Sequence, residues 1–231
     1  MLNIEKLSAD LRGGKPILVF DKDDREGETD IFFSAKHCSA SSIRFLRENG
    51  GGMIFLAAEN SAASKLGLPF AHEIYETVIS SDKKFHVLHE MLNHSLPYDK
   101  KSSFSIFINH KNTFTGISDY DRALTSKSFA LLFEESFALS RKESQIKMSN
   151  SFRIPGHVPI CIADENLLKN RKGHTELIVS IFNILGLNPV AVGCEMVGSN
   201  GHSLSSDEAK KWAQNEGYLF LEGQQIAEVY Q

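Results

Sequence analysis

Short apolar runs rich in β-branched residues alternate along the chain with segments whose apolar residues recur at helical spacing. The apolar runs predict strands at residues 17–20, 31–33, 53–58, 104–108, 158–162 and 190–192. The segments with helical spacing predict helices at residues 4–11, 39–48, 121–135, 174–185 and 205–214. Because these elements interleave without a regular βαβ order, we expect an α/β (α+β) fold, a mixed β-sheet sandwiched by helices.

Residues 72–101 form a polar, histidine-rich stretch that fits neither pattern. We expect a long loop there, or an excursion from the core. Long loops in compact domains are often functional lids.

Composition and charge narrow the class of protein. The 231 residues are 42% hydrophobic and 23% charged, with a formal net charge of −4, which fits a globular chain and gives no general attraction to nucleic acid or to anionic membranes. The chain lacks an apolar run of the roughly 20 residues that span a bilayer, and its start lacks the apolar core of a secretory signal. Cys38, Cys161 and Cys194 are widely spaced, which argues against a disulfide framework. We therefore expect a cytoplasmic protein.

The first segment with chemical potential is DKDDREGETD at residues 21–30, directly after the first predicted strand. If residues 26–30 are extended, Glu26, Glu28 and Asp30 point the same way. Three carboxylates on one face make an oxygen site of the kind that magnesium or calcium prefers. The alternative is a solvated acidic turn.

The second segment is RKGHTE at residues 171–176, where the clearest predicted helix begins. Free backbone N–H groups at a helix N-terminus attract anions, and Arg171 and Thr175 can add donors, so the segment is a candidate phosphate site. Alternatively, Thr175 and Glu176 only satisfy the first turn of the helix. Neither the P-loop motif nor the dinucleotide-binding glycine motif occurs in the sequence.

Three further residues are candidates with an equally plausible structural role. Pro155-Gly156 predicts a turn that places His157 at the mouth of a strand, where it could carry protons or be structural. Glu195 ends a predicted buried strand and is a site residue or a rim residue. Thr115 stands beside a glycine, in a segment suited to phosphate or sugar contacts and equally to capping the next helix.

Taken together and in this order, the segments resemble the 3,4-dihydroxy-2-butanone 4-phosphate synthase family of riboflavin biosynthesis, particularly its archaeal-type branch. The similarity covers roughly residues 11–218. The blocks that carry it are DREGETD at 24–30, TGIS at 115–118, DRA at 121–123, PGHV at 155–158, RKGHTE at 171–176 and CE at 194–195. The resemblance implies this family's own α/β sandwich fold. We expect residues 1–231 to form a single catalytic domain, without the GTP cyclohydrolase II domain fused in many members.

The resemblance implies a lyase that converts D-ribulose 5-phosphate into L-3,4-dihydroxy-2-butanone 4-phosphate and formate. It also implies two magnesium ions per active site, with manganese possible, and a homodimer whose active sites lie near the interface. By motif position, Glu26 and His174 would hold the metal. The substrate-binding positions are Arg25 and Asp30 for the sugar hydroxyls, Arg171 and Thr175 for the phosphate, and Thr115 as a weaker phosphate candidate.

The same resemblance places His157 and Glu195 at the positions that the family uses for proton transfer. Glu28 and Glu176 match further acidic motif positions, which we also predict to be catalytic. A metal pair suits this chemistry, because the enediolate left by removing a proton beside a ketone needs positive charge on both oxygens.

The sequence departs from the common family pattern in two places. Gly27 stands where many members have asparagine, and Thr29 where many have glycine. Residues 81–97 match the family poorly, so no catalytic role is assigned there. Two alternatives remain open: another magnesium-dependent sugar-phosphate isomerase or aldolase, or a non-catalytic phosphosugar-binding protein.

Overall fold

A computed structural model describes residues 3–92, 97–99 and 101–230 of the chain. Its strands form one seven-stranded sheet. In chain order they are β1 (Ile17–Phe20), β2 (Thr29–Ser34), β3 (Phe55–Ala58), β4 (Phe104–His110), β5 (Phe152–Ile162), β6 (Val190–Glu195) and β7 (Leu219–Glu222). The helices are α1 (Ile4–Arg12), α2 (Ala40–Asn49), α3 (Asn60–Lys65), α4 (Ala71–Ser81), α5 (His86–Leu92), α6 (Asp119–Ser136), α7 (Arg141–Ser151), α8 (His174–Ile184), α9 (Ser206–Glu216) and α10 (Gly223–Val229).

The sheet is mixed, with strand order β4-β5-β3-β6-β2-β1-β7. Strand β3 is parallel to β5 and β1 is parallel to β7, while the other neighbours are antiparallel. In the β2–β6 ladder Asp30 lies opposite Glu195, and in the β1–β2 ladder Phe20 lies opposite Thr29. The end of β1, the start of β2 and the end of β6 therefore meet at one edge of the sheet.

Helices cover both faces of the sheet, which confirms the predicted sandwich. On one face the core includes Leu18 of β1 and residues of α2, α3, α6, α7 and α9. On the other face it includes Ile17 and Val19 of β1 and residues of α1, α8 and α10. This alternation follows from the two-residue period of a strand. Among the described residues, every helix is too short or too polar to cross a bilayer.

Helix α8 begins where the sequence predicts. Gly173 is its N-cap residue, and apolar side chains including Leu177, Ile181 and Phe182 are buried against the sheet. Burial of this stripe fixes the N-terminus of the helix, and so the RKGHTE segment, at the same sheet edge as the start of β2.

The prediction of a loop over residues 72–101 is wrong, because α4, a 3₁₀ turn at Lys83–Phe85 and α5 occupy most of it. Helix α4 has Phe70 as its N-cap residue rather than serine, threonine, aspartate or asparagine. Neither α4 nor α5 has a buried residue, so the apolar stripe that marks a core helix is weak. Residues 93–96 and 100 of this stretch lie outside the described residues.

The prediction of a turn at Pro155-Gly156 is also wrong. Both residues lie within β5, where the pairing with β4 shifts register between Ile108 and Asn109. A Cβ on Gly156 would lie only 1.9 Å from the carbonyl carbon of Ile108. Glycine is therefore needed here for the close approach of two strands rather than for a reversal of the chain.

Candidate active site

A cavity of about 340 Å³ opens at the sheet edge where β1, β2 and β6 meet the N-terminus of α8. Eight of the eleven predicted site residues line it, namely Arg25, Glu26, Glu28, Asp30, Arg171, His174, Thr175 and Glu195. Segments separated by up to 170 positions in the sequence thus contribute to one polar cavity.

The acidic turn between β1 and β2 is organised by Asp21, which is buried. Its carboxylate accepts hydrogen bonds from the backbone N–H groups of Glu26 at 3.0 Å and Glu28 at 3.1 Å. It also accepts one from Nη1 of Arg25 at 3.1 Å. These contacts hold the turn so that the Glu26 and Glu28 side chains face the cavity.

The condition that residues 26–30 are extended is not met, because β2 begins only at Thr29. Gly27 has a φ of +66°, a left-handed conformation that suits glycine. The turn nevertheless brings Glu26, Glu28 and Asp30 to one cavity, as the strand geometry was expected to do. Gly27 thus permits the fold of the turn, although many family members have asparagine there.

His174, the first residue of α8, lies among the acids of the turn. Its Nδ1 is 3.1 Å from Oε2 of Glu26, and its Nε2 is 3.1 Å from the backbone oxygen of Glu28. Nε2 is also 3.8 Å from Oδ1 of Asp30. One potential ligand atom from each of Asp21, Glu26 and His174 lies within 4.8 Å of the others. Two carboxylates and an imidazole form a donor set that fits magnesium or manganese.

The pKa values of these groups are strongly coupled. Burial opposes protonation of His174, but the charges of Asp30 and Glu26 outweigh it and raise the pKa of His174 to about 9. Burial likewise opposes ionisation of Glu26, but His174 and Arg25 lower its pKa to about 2. Burial, reinforced by the nearby charges of Glu195, Glu26 and Glu28, raises the pKa of Asp30 to about 7 despite the opposing charge of His174. Asp30 can therefore exchange a proton near neutral pH.

Two arginines lie side by side at the N-terminus of α8. A Cβ on Gly173 would lie 2.3 Å from Nη1 of Arg171 and 2.8 Å from Nη2 of Arg25, so glycine leaves the space that both guanidinium groups use. Thr175 is buried beside them and donates a hydrogen bond to Oγ of Ser103 at 3.4 Å. Two guanidinium groups at a helix N-terminus are chemically suited to a phosphate.

Glu176 lies behind Arg171 rather than in the lining of the cavity. It is fully buried, accepts the backbone N–H of Asp164 at 2.9 Å and forms an ion pair with Nη1 of Arg171. Burial raises the pKa of Glu176, while Arg171 opposes the shift. These contacts suit Glu176 to orienting Arg171.

Glu195, at the end of β6, is held by the glycine-rich loop at residues 50–52. Its Oε1 accepts a hydrogen bond from the backbone N–H of Met53 at 3.2 Å. Its backbone oxygen accepts a hydrogen bond from the backbone N–H of Gly51 at 2.6 Å. A side chain on Gly51 would collide with the carboxylate, since its Cβ would lie 2.6 Å from Oε1. The loop thus fixes the orientation of Glu195 towards the cavity.

His157 and Thr115 lie outside the lining of this cavity, on an exposed surface of the protomer. They share one partner, because Nδ2 of Asn109 donates to Nδ1 of His157 at 3.0 Å and to the backbone oxygen of Thr115 at 3.4 Å. The eleven predicted site residues therefore divide into a cavity group of eight, Glu176 behind Arg171, and a surface pair.

Some residues of the site were not predicted. Asp21 could have been found, because an acid that directly follows a buried strand has a defined position at the sheet edge. Tyr98 and Asp99 could not, because they lie in the 72–101 stretch, whose sequence fits neither the helix nor the strand pattern. The guanidinium of Arg25 lies 5.2 Å from the centre of the Tyr98 ring, and Asp99 contacts both arginines.

Comparisons with known proteins identify a family. The family model for 3,4-dihydroxy-2-butanone 4-phosphate synthase matches residues 5–229. A 3,4-dihydroxy-2-butanone 4-phosphate synthase of the archaeon Methanosarcina mazei is 38% identical over 230 residues, covering 99% of this chain and 91% of the relative.

Solved structures share the fold. The crystal structure of the Candida albicans synthase aligns with a TM-score of 0.73 and 25% identity, covering 100% of this chain and 98% of that one. A synthase structure described as a complex with two magnesium ions aligns with a TM-score of 0.71 and 23% identity, covering 99% of this chain and 97% of that one. The family resemblance and the fold class are thus confirmed, and the chain belongs to the 3,4-dihydroxy-2-butanone 4-phosphate synthase family.

Proposed function

We propose that the protein is a lyase that converts D-ribulose 5-phosphate into L-3,4-dihydroxy-2-butanone 4-phosphate and formate, in riboflavin biosynthesis. One observation carries the proposal: a metal-binding donor set and a phosphate-binding arginine pair face the same cavity of about 340 Å³. A phosphosugar offers hydroxyl and carbonyl oxygens to a metal and a phosphate to the arginines, so one substrate can use both sets of groups. Membership of the synthase family supports the same reaction.

The metal ligands proposed are Glu26 and His174, with Asp21 as an additional candidate. A divalent cation bound there would act as a Lewis acid towards the substrate oxygens. The solved synthase described as a complex with two magnesium ions supports magnesium as the proposed cofactor. We propose two ions per site, as the family resemblance implies. The imidazole of His174 leaves manganese as a suitable substitute.

The other site residues are proposed either to bind the substrate or to transfer protons. Arg171 and Thr175 would hold the phosphate, an unreactive end of the substrate whose binding positions the reacting carbons. Arg25, which lies beside Arg171, would contact the phosphate as well as the sugar hydroxyls, and Asp30 would contact the sugar hydroxyls. Proton transfer is assigned to Glu195, the half-buried carboxylate held by Met53, and to His157.

Glu28 and Glu176 complete the proposed set. Oε1 of Glu28 accepts a hydrogen bond from Ser203 at 2.6 Å, which leaves its second oxygen for the cavity. Glu176 would act by holding Arg171, with which it forms an ion pair. In this proposal Glu28 would act on the substrate directly, and Glu176 through a neighbour.

We propose a homodimer that completes the site. His157 and Thr115 are surrounded by exposed apolar side chains of neighbouring segments, including Phe114 (95% exposed), Tyr120 (76%) and Ile154 (64%). Large exposed apolar side chains of this kind are typical of an interface. A second copy seated on this surface would bring His157 and Thr115 to the cavity of its partner.

Two further features are proposals. The cysteines are free and buried, which suits a reducing compartment, and we propose that the protein acts in the cytoplasm. One sheet contains strands from residue 17 to residue 222, which supports a single catalytic domain.

The function is tested by incubating the purified protein with ribulose 5-phosphate and magnesium and assaying formate. We expect formate release that stops when EDTA is added and that is absent from a Glu26→Gln variant. Formate release by the wild type no greater than that by the variant would refute the proposal. Consumption of substrate without formate would indicate an isomerase or aldolase instead.

The shared site is tested by mixing two inactive variants, His157→Asn and Glu26→Gln, under conditions that exchange subunits. In a symmetric dimer half of the exchanged dimers contain one intact site, so we expect about a quarter of the wild-type activity. A mixture that stays as inactive as its components, although mass spectrometry shows heterodimers, would refute the shared site.

A further inference from the structure

Asp99 occupies the space between the two arginines of the cavity. Its Oδ2 accepts hydrogen bonds from Nε of Arg171 at 2.9 Å and from Nη2 of Arg25, and it lies 2.8 Å from Nη2 of Arg171. The three side chains are largely buried, with 13% of Asp99, 10% of Arg25 and 16% of Arg171 exposed. One carboxylate therefore bridges both cations.

The edges of the two guanidinium groups that Asp99 does not contact have other anionic partners. Nη1 of Arg171 pairs with the buried Glu176. Nη1 of Arg25 lies 3.1 Å from the Asp21 carboxylate and 2.9 Å from that of Glu26. The remaining edges, Nε and Nη2 of Arg171 and Nη2 of Arg25, are those that Asp99 engages. A phosphate bound between the arginines needs these same donors, because each guanidinium offers a limited set of N–H groups.

The acids that contact the arginines differ in how they are held. Glu176 belongs to helix α8, and Asp21 is fixed by two backbone N–H groups of the turn. Asp99 lies in residues 97–99, which have neither helical nor strand structure, a few positions before β4. Among the described acids that touch the two guanidinium groups, Asp99 is thus the one that can leave without unfolding a helix or breaking the acidic turn.

We propose that Asp99 is an internal competitor of the substrate phosphate. It occupies these N–H donors of Arg25 and Arg171 before the substrate binds, and the substrate phosphate displaces it. This inference rests on the proposed function, because it takes the arginine pair as the phosphate site. It makes Asp99 a specificity-determining residue, since only a ligand with enough negative charge gains from replacing a carboxylate between two arginines.

The proposal is tested by titrating the full-length protein with inorganic phosphate in a calorimeter, in EDTA and again with magnesium. Asp99→Asn keeps the shape of the side chain and removes its charge, and Asp99→Ala removes its contacts as well. We expect both variants to bind phosphate at least about 10-fold more tightly than the wild type, which is about 1.4 kcal/mol. The Michaelis constant for ribulose 5-phosphate should fall in the same variants, while kcat does not rise in proportion.

Asp23→Asn is the matched control, because it removes the same charge from an exposed position of the arginine-bearing turn. It should leave phosphate affinity unchanged, which separates competition from a general loss of negative charge. Weaker or unchanged phosphate binding in both Asp99 variants, with thermal unfolding like that of the wild type, would overturn the proposal and indicate that Asp99 only holds the arginines in place. Phosphate binding does not require turnover, so this result is independent of whether formate is released.

Discussion

The position of the Glu195 carboxylate depends on the absence of a side chain at Gly51. In a Gly51→Ala variant the new Cβ would lie 2.6 Å from Oε1 of Glu195 and 2.4 Å from Cγ2 of Val197. Ordinary contact begins at 3.4 Å, so the carboxylate must move by about 0.8 Å. The exposed Val197 side chain can rotate away, but Glu195 would lose its hydrogen bond from Met53.

The expected effect is on catalysis rather than on stability. A misplacement of about 1 Å can cost on the order of 100-fold in rate, so we expect kcat to fall about 100-fold with a Michaelis constant close to that of the wild type. One lost hydrogen bond costs about 1 kcal/mol of stability. In a chain of this size that loss lowers the melting temperature by about 2–4 °C.

The assay is steady-state formate release, with melting temperatures measured on the same preparations. Gly217→Ala is the matched control, because Gly217 ends α9 with a φ of +76° and a Cβ there meets nothing within 4 Å. That variant should lose about 1 kcal/mol of stability from left-handed strain and keep its kcat. A Gly51→Ala variant with wild-type kcat, or equal loss of kcat in both variants, would refute the positioning role of the loop.

Three further predictions concern the charged groups of the cavity. Arg171→Ala should raise the Michaelis constant for ribulose 5-phosphate at least about 10-fold and leave magnesium affinity unchanged in calorimetry; equal loss of both would contradict the separate roles. In EDTA the free energy of unfolding should fall between about pH 6.5 and 9, because the pKa of His174 is about 9 when folded against 6.5 when unfolded, so the proton that stabilises the fold is lost over that window. The pKa of Asp30 is raised from 3.8 to about 7, so Asp30 should add a loss of stability as the pH rises from 3.8 to about 7. Urea denaturation across pH tests both, and a His174→Gln variant with an undiminished slope above pH 6.5 would contradict the assignment. Asp21→Asn should lower stability in EDTA by about 1–3 kcal/mol, because two backbone N–H groups and a guanidinium lose a charged acceptor; unfolding at an unchanged urea concentration would contradict it.

Much of the fold could be predicted from local pattern. The β-rich runs became strands of the sheet, and the predicted helices formed within a few residues of their expected ends. Strand β7 and helices α3, α4, α5, α7 and α10 were not predicted. Helix α7 has only Ser144 and Met148 buried, and α3 is six residues long, so neither has a clear apolar stripe.

The residues of the candidate site could likewise be predicted only in part. Motif residues such as Glu26 and His174 could be identified because the order of the motifs resembles a known family, whereas each segment alone stays ambiguous. Their meeting depends on the β1–β2 turn and the N-terminus of α8 reaching one sheet edge, which no local pattern specifies. Asp99 was out of reach for the same reason, since its role follows from contacts with Arg25 and Arg171 across more than 70 positions of the chain.

The most direct test is the product balance of a single reaction, followed by NMR of ribulose 5-phosphate incubated with the protein and magnesium. We predict that the formate signal and the signals of a four-carbon phosphate grow together in equal amounts as the substrate disappears. Signals of another five-carbon phosphate, or of two smaller sugar fragments without formate, would contradict the assignment of this cavity to the synthase reaction.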